Sequence, residues 1–173
     1  MTPQSSFMIL APVEPGRTQE LRDLLLSMNT APGRADANNA LFPFGRFDVI
    51  HFARIVLLDD PTVNDIEVYG AARRSYPLYL AMLADVDGSA DDFLTQVVRD
   101  AGKGLRTIFS CCQSPPGEDL AAWMQKYRVE PAANYINWRG RTVRQLREEA
   151  ALAHYIEEKR SELAGKSPGE IHR

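Results

Sequence analysis

Two short segments are apolar on both faces of the strands that they predict. Residues 6–11 read Ser-Phe-Met-Ile-Leu-Ala, and residues 78–84 read Leu-Tyr-Leu-Ala-Met-Leu-Ala. In an antiparallel sheet with one face in water, apolar and polar side chains alternate along each strand. Because neither segment alternates, we expect both faces of the sheet to be covered, one of them by the chain's own helices.

Composition narrows the class of protein. The 173 residues, 45% hydrophobic and 25% charged, suit a single globular domain. A net charge of −3 argues against nucleic-acid binding, and no segment approaches the roughly 18 apolar residues that span a membrane. The N-terminal residues lack a signal peptide's basic region, and the two cysteines, Cys111 and Cys112, are adjacent, which excludes a disulfide framework. We therefore expect a cytoplasmic protein without a membrane or nucleic-acid partner.

Hydrophobic periodicity predicts the order β-α-β-β-α-β followed by a further helix. Strands are predicted at residues 6–13, 49–58, 76–86 and 134–138, and helices at 17–28, from Ser89 onward, at 118–127 and from Thr142 onward. Ser89 with Asp92, and Thr142 with Gln145, have the spacing of capping boxes. The glycines at 102 and 104 predict an interruption of the second helix, and residues 29–48 predict a long connection.

This order is typical of an α+β fold, the ferredoxin-like βαββαβ antiparallel sheet, here with an extra C-terminal helix. Its first and third strands are central, and these are the two apolar segments. We predict one domain over residues 1–165 and a disordered tail over 166–173. The uncovered face of the sheet predicts a homodimer through that face. The alternative is that residues 29–48, 104–131 and the last helix cover it within one chain.

The segments 7–16, 51–59, 80–88 and 136–143 resemble the dimeric α+β barrel group of ferredoxin-like proteins. The resemblance extends over roughly residues 6–163. The group includes haem enzymes such as dye-decolourising peroxidases and chlorite dismutases, cofactor-free monooxygenases, and many members without assigned activity. The axial histidine of the haem enzymes would correspond to His154, but the surrounding pattern is missing. The resemblance therefore implies a dimer and leaves haem as a minor alternative to having no cofactor.

His51 and Arg54 are the candidate catalytic residues, since both lie in an otherwise apolar predicted strand. Arg54 would bind an anionic group and His51 would move a proton. Residues three apart in a strand point to opposite faces, so they share a cavity only if a bulge intervenes. The structural alternatives are a hydrogen-bonded histidine near the strand start and an ion pair of Arg54 with Asp85 or a loop carboxylate.

Two further groups are candidates for ligand binding. Phe42, Phe44 and Phe47 lie in a loop rich in proline and glycine, and they predict either a lid over a ligand or a cap on the core or interface. Arg141 and Arg144 flank the start of the last helix, where they predict either an anion site or pairing with nearby glutamates. Three histidines in all argue against a multi-histidine metal centre.

The sequence thus predicts a homodimeric module. It either binds a small apolar or anionic molecule in an internal cleft or serves as a structural or interaction module. The alternative is an enzyme of the dimeric α+β barrel type, a cofactor-free monooxygenase or isomerase, with a haem peroxidase less favoured.

Overall fold

A computed structural model describes residues 4–59, 77–133, 135, 140–164 and 166. Within them the protein is an α+β protein with an antiparallel sheet and four helices. The strands are β1 (Gln4–Pro12), β2 (Asn29–Ala31), β3 (Arg34–Ala35), β4 (Ile50–Leu58) and β5 (Tyr79–Asp87). The helices are α1 (Thr18–Ser27), α2 (Ala90–Phe109), α3 (Leu120–Lys126) and α4 (Val143–Leu163), and 3-10 turns lie at Pro15–Arg17 and Phe44–Arg46.

The main sheet has the strand order β1-β5-β4, and both pairs of neighbours are antiparallel. Its alternate side chains form the core together with α1 and α2. Ile9, Met82 and Ile55 lie side by side on the face toward these helices. The rings of Phe7 and Phe93 meet edge to face at 5.9 Å, which joins β1 to α2. The predicted antiparallel α+β architecture is therefore confirmed.

The strand order itself differs from the ferredoxin-like prediction. β1-β5-β4 is not the four-stranded ferredoxin-like order, and among the described strands only β5 has two neighbours. The outer edge of β1 is instead bonded to loop backbone after α2 and α3. Leu10 N donates to Tyr127 O, Val129 N donates to Met8 O, and Gln113 N donates to Pro12 O. The predicted strand 134–138 lies outside the described residues, apart from Tyr135, which belongs to no regular element.

The second face of the sheet is partly covered within a single chain. Along this face Ala81 lies between Leu10 and Val56, and it is only 1% exposed. Leu58, at the end of β4, is 50% exposed. The two doubly apolar segments do form neighbouring strands, β1 and β5. The homodimer predicted through this face stays a prediction.

Two predictions about connections are wrong. The predicted loop at 29–48 contains the β2-β3 hairpin and a 3-10 turn. The predicted break in the second helix does not occur, since α2 runs unbroken through Gly102 and Gly104. Gly104 faces the backbone of Leu41, where a β-carbon would lie 1.9 Å from the carbonyl oxygen. Glycine is therefore required at 104 by close packing and does not mark a helix end.

The last helix begins as predicted but packs differently. Thr142 and Gln145 form the reciprocal capping box. The sequence of this helix has an apolar arc, yet Val143 is the one buried residue of α4 and Ile156 is 56% exposed. The arc consists of Val143, Leu146, Ala150, Ala153 and Ile156. The first turn of α4 contacts the sheet and the rest extends into solvent. No helix among the described residues is both long and apolar enough to span a bilayer.

Candidate functional site

A groove of about 780 Å³ follows the outer edge of β4. Its floor is β4 itself, from which six consecutive residues, 52–57, reach the groove. Successive side chains of a strand point to opposite faces, so a groove touched by all six must straddle the strand edge. Among the described strands, β4 has β5 as its one neighbour, so no described strand pairs with the edge that the groove follows. We call this feature the β4 groove.

The walls of the β4 groove come from α1, the β2-β3 hairpin and the 3-10 turn at Phe44–Arg46. They are predominantly apolar, and the charged residues that line the groove are the two cations Arg22 and Arg54. No described lining residue carries a carboxylate. The wall residues are Arg22, Leu25, Leu26, Met28, Asn29, Gly33, Ala35 and Phe44.

The two arginines of the groove differ in their partners. Arg22 forms an ion pair with Asp59. The guanidinium of Arg54 lies over the ring of Phe52, with Cζ 4.7 Å from the ring centroid. No carboxylate among the described residues pairs with Arg54, and Asp85, the partner suggested by the sequence, accepts from the hydroxyl of Ser6 at 2.7 Å. Arg54 therefore presents an oriented cation at the edge of an apolar groove.

A bulge in β4 decides where His51 points. The register shifts between Ile50 and Phe52, where two residues of β4 oppose one of β5. As a result His51 reaches Asp87, on the sheet face that also carries Arg54. The sequence allows His51 and Arg54 on one side of the sheet only if a bulge intervenes, and this bulge is present. His51 is nonetheless not among the residues that line the β4 groove.

His51 belongs to a polar cluster that joins the sheet to the start of α4. Its Nε2 lies 2.9 Å from Asp87 Oδ1 and 3.1 Å from the amide nitrogen of Gln4. Asp87 Oδ2 accepts from Val143 N at 2.7 Å, and Gln4 donates to the carbonyl of Arg141 at 2.9 Å. His51 is thus hydrogen-bonded near the strand start, as its structural alternative proposes.

The three phenylalanines of the predicted lid lie at different depths. Phe42 and Phe47 are fully buried in the core, with ring centroids 5.1 Å apart, while Phe44 is half-buried and lines the groove. Phe42 contacts Phe44 at 4.7 Å, and Phe47 contacts Phe93 at 5.8 Å. This segment is therefore anchored in the core, and Phe44 is the member that a ligand in the groove would contact.

The arginines around the start of α4 contact carboxylates. Arg141 pairs with Glu149, Arg144 lies 3.5 Å from Glu148, and Arg147 donates to Asp48 at 2.7 Å. Asp87 supplies the anion that the positive end of the helix favours. These contacts match the alternative in which Arg141 and Arg144 pair with nearby glutamates.

The two cysteines and His154 do not form a second site among the described residues. Cys111 and Cys112 are buried free thiols, and burial raises the pKa of both, that of Cys112 to about 12. His154 is exposed on α4 beside Glu158. The described residues contain no cluster of three or more histidine, cysteine, aspartate or glutamate side chains that could hold a metal ion.

Sequence reasoning identified Arg54 and Phe44 but missed the rest of the groove. The side of α1 that carries Leu26 and the β2-β3 hairpin were not predicted as walls. Leu26 could have indicated this wall, since it is apolar yet lies off the helical stripe of α1, and it is 68% exposed. That stripe consists of Leu21, Leu24, Leu25 and Met28. Comparison with families of known proteins, with curated proteins and with solved structures finds no significant match.

Proposed function

We propose that the protein binds a small apolar molecule with one anionic group in the β4 groove. The observation that carries this proposal is Arg54, a cation that lies over Phe52 without a described carboxylate partner. The walls of the groove are predominantly apolar, and their other cation, Arg22, is paired with Asp59. The apolar part of the ligand would lie against Leu25, Leu26 and Phe44. Its carboxylate, sulfonate or phosphate would accept hydrogen bonds from the planar guanidinium of Arg54.

Unbranched carboxylates of increasing length test the apolar contribution. We expect saturable binding by calorimetry, with affinity rising by up to about fourfold for each added methylene group from hexanoate to decanoate. Replacing Ala35 by Trp fills the groove from the hairpin side and is expected to remove binding of every member of the series. Absence of saturable binding to decanoate would contradict the proposal.

Decanoate and decanol together test the role of Arg54. The substitution Arg54→Gln removes the charge and is expected to weaken decanoate binding by about fivefold, since an exposed ion pair contributes up to about 1 kcal/mol. Decanol binding is expected to stay unchanged. Arg144→Gln is the matched control, because it removes the same charge from α4, outside the groove lining. Loss of decanoate binding in Arg144→Gln alone would assign the anion to the start of α4.

Catalysis remains the alternative function, with His51 as the proton carrier beside an anion held by Arg54. The bulge that turns both residues to one sheet face favours it. Against it, His51 is engaged by Asp87 and Gln4 and lies outside the groove lining, so binding is the better supported function. The resemblance to the dimeric α+β barrel group stays a prediction. Its haem branch is tested by a Soret band in the protein as purified, or by a shift of the Soret band of free haem when haem is added to it.

A further inference from the structure

The exposed length of α4 carries a stripe of apolar side chains. Leu152, Tyr155 and Ile156 are each more than half exposed, and Leu163 is 38% exposed. Leu152, Ile156 and Leu163 are separated by four and seven residues, the spacing that places side chains along one seam of a coiled coil. The helix is 21 residues long, about 30 Å, and only its first turn is buried against the sheet. Such a stripe is the kind that another helix covers.

Two charged residues lie in the same seam as the stripe. Glu149 precedes Leu152 by three residues, and Lys159 follows Ile156 by three. In an antiparallel pair with Leu152 opposite Ile156, the residue three positions before Leu152 faces the residue three positions after Ile156 in the other copy. Glu149 of each copy then faces Lys159 of the other. A parallel pair would place like charges side by side.

We propose that two copies of this chain pair through α4, with the helices antiparallel and Leu152 of each copy facing Ile156 of the other. The exposed pairs within one chain are compatible with this arrangement. Glu149 pairs with Arg141, and Lys159 pairs with Glu162, both at the surface. Exposed pairs of this kind contribute little and exchange partners readily. A second copy covers the apolar stripe and pairs the charged residues of the seam. The β4 groove takes no part in this contact.

Sedimentation velocity at micromolar concentration tests the dimer and the surface that forms it. We expect the natural sequence to be dimeric. Leu152→Glu combined with Ile156→Glu should be monomeric, with a dissociation constant raised at least about a hundredfold. Leu58→Glu is the control for added surface charge, because it places one glutamate at a similarly exposed leucine outside α4. A monomeric natural sequence would overturn the proposal. So would a helix variant that stays dimeric while Leu58→Glu dissociates.

A mixing experiment tests the antiparallel register. One variant carries Glu149→Lys, and the other carries Lys159→Glu. In a homodimer of either variant, like charges face each other across the seam, so each variant alone should dimerise weakly. In the heterodimer that forms from an equimolar mixture, opposite charges face each other at both ends of the seam. Native mass spectrometry should therefore show the heterodimer in excess of both homodimers. A mixture without excess heterodimer would reject the register, and a folding defect in either variant would not be repaired by mixing.

Discussion

Asp87 joins three parts of the molecule that are distant in sequence. It is the last residue of β5, and its two carboxylate oxygens contact His51 on β4 and the first backbone N–H of α4. The side chain is 9% exposed, so loss of its acceptors leaves partly buried donors without partners. Asp87 therefore orients α4 relative to the sheet, and with it the apolar stripe that the helix carries.

We predict that Asp87→Ala lowers the free energy of unfolding by about 1–3 kcal/mol, because a partly buried N–H and the ring of His51 lose their acceptor. Asp87→Asn should cost less, since its single amide oxygen still accepts one hydrogen bond. Asp85→Ala is the control on the same strand and face. Its side chain is exposed and accepts from Ser6, so we expect a loss below about 0.5 kcal/mol. Urea unfolding measures all three, and equal losses at 85 and 87 would refute the assigned role.

The candidate site shows which functional residues the sequence alone can predict. Arg54 and Phe44 stood out because a charge in an apolar strand and an aromatic side chain in a loop are locally unusual. The pairing of His51 with Asp87 depends on a one-residue bulge, and nothing in the local sequence fixes its position. The outer wall from Leu26 arises because α1 lies beside β4, a contact between elements more than twenty residues apart. Such contacts depend on tertiary packing and have no local signal.

At the scale of elements, helix caps were reliable, and glycine was not. Ser89 accepts hydrogen bonds from the N–H groups of Asp91 and Asp92, and Thr142 forms its predicted box, so both helix starts are confirmed. The glycines of α2 were interpreted as breaks because glycine lowers helix propensity. Packing against Leu41 outweighs that local cost at Gly104. Helix propensity alone therefore predicted a break at Gly104, where the helix is continuous.

The two glycines of α2 offer a matched pair of substitutions. Gly104→Ala places a β-carbon against the backbone of Leu41, so the loop and helix must separate, and we expect a loss of about 1–3 kcal/mol in unfolding free energy. At Gly102 the nearest atom is Leu120 Cδ2 at 3.6 Å, an ordinary contact. Gly102→Ala should gain up to about 1 kcal/mol from helix propensity. Chemical denaturation of both variants decides the point, and a stabilised Gly104→Ala would show that the close approach is absent.

At the scale of the whole molecule, two separate apolar surfaces among the described residues differ in shape and charge. One is the β4 groove, which is concave and carries Arg54 at its edge. The other is the stripe on α4, which is convex and flanked by charges of both signs. A concave site with one cation suits a small anionic ligand, whereas a self-complementary helix suits a second copy. The second face of the sheet, from which a dimer was first inferred, is already partly covered and is the weaker candidate for that contact.

The folding stability of the whole molecule should fall in alkaline solution because of Cys112. Its pKa is raised from 9.0 to about 12 by burial, so above about pH 9 the unfolded chain loses a proton that the folded protein keeps. Deprotonation therefore favours the unfolded state, and we expect about 1–2 kcal/mol less stability at about pH 11 than at about pH 9. Cys112→Ala removes this linkage at the cost of a small cavity. Urea unfolding across this range should show the two proteins converging in stability as pH rises, and parallel curves would rule out the contribution of Cys112.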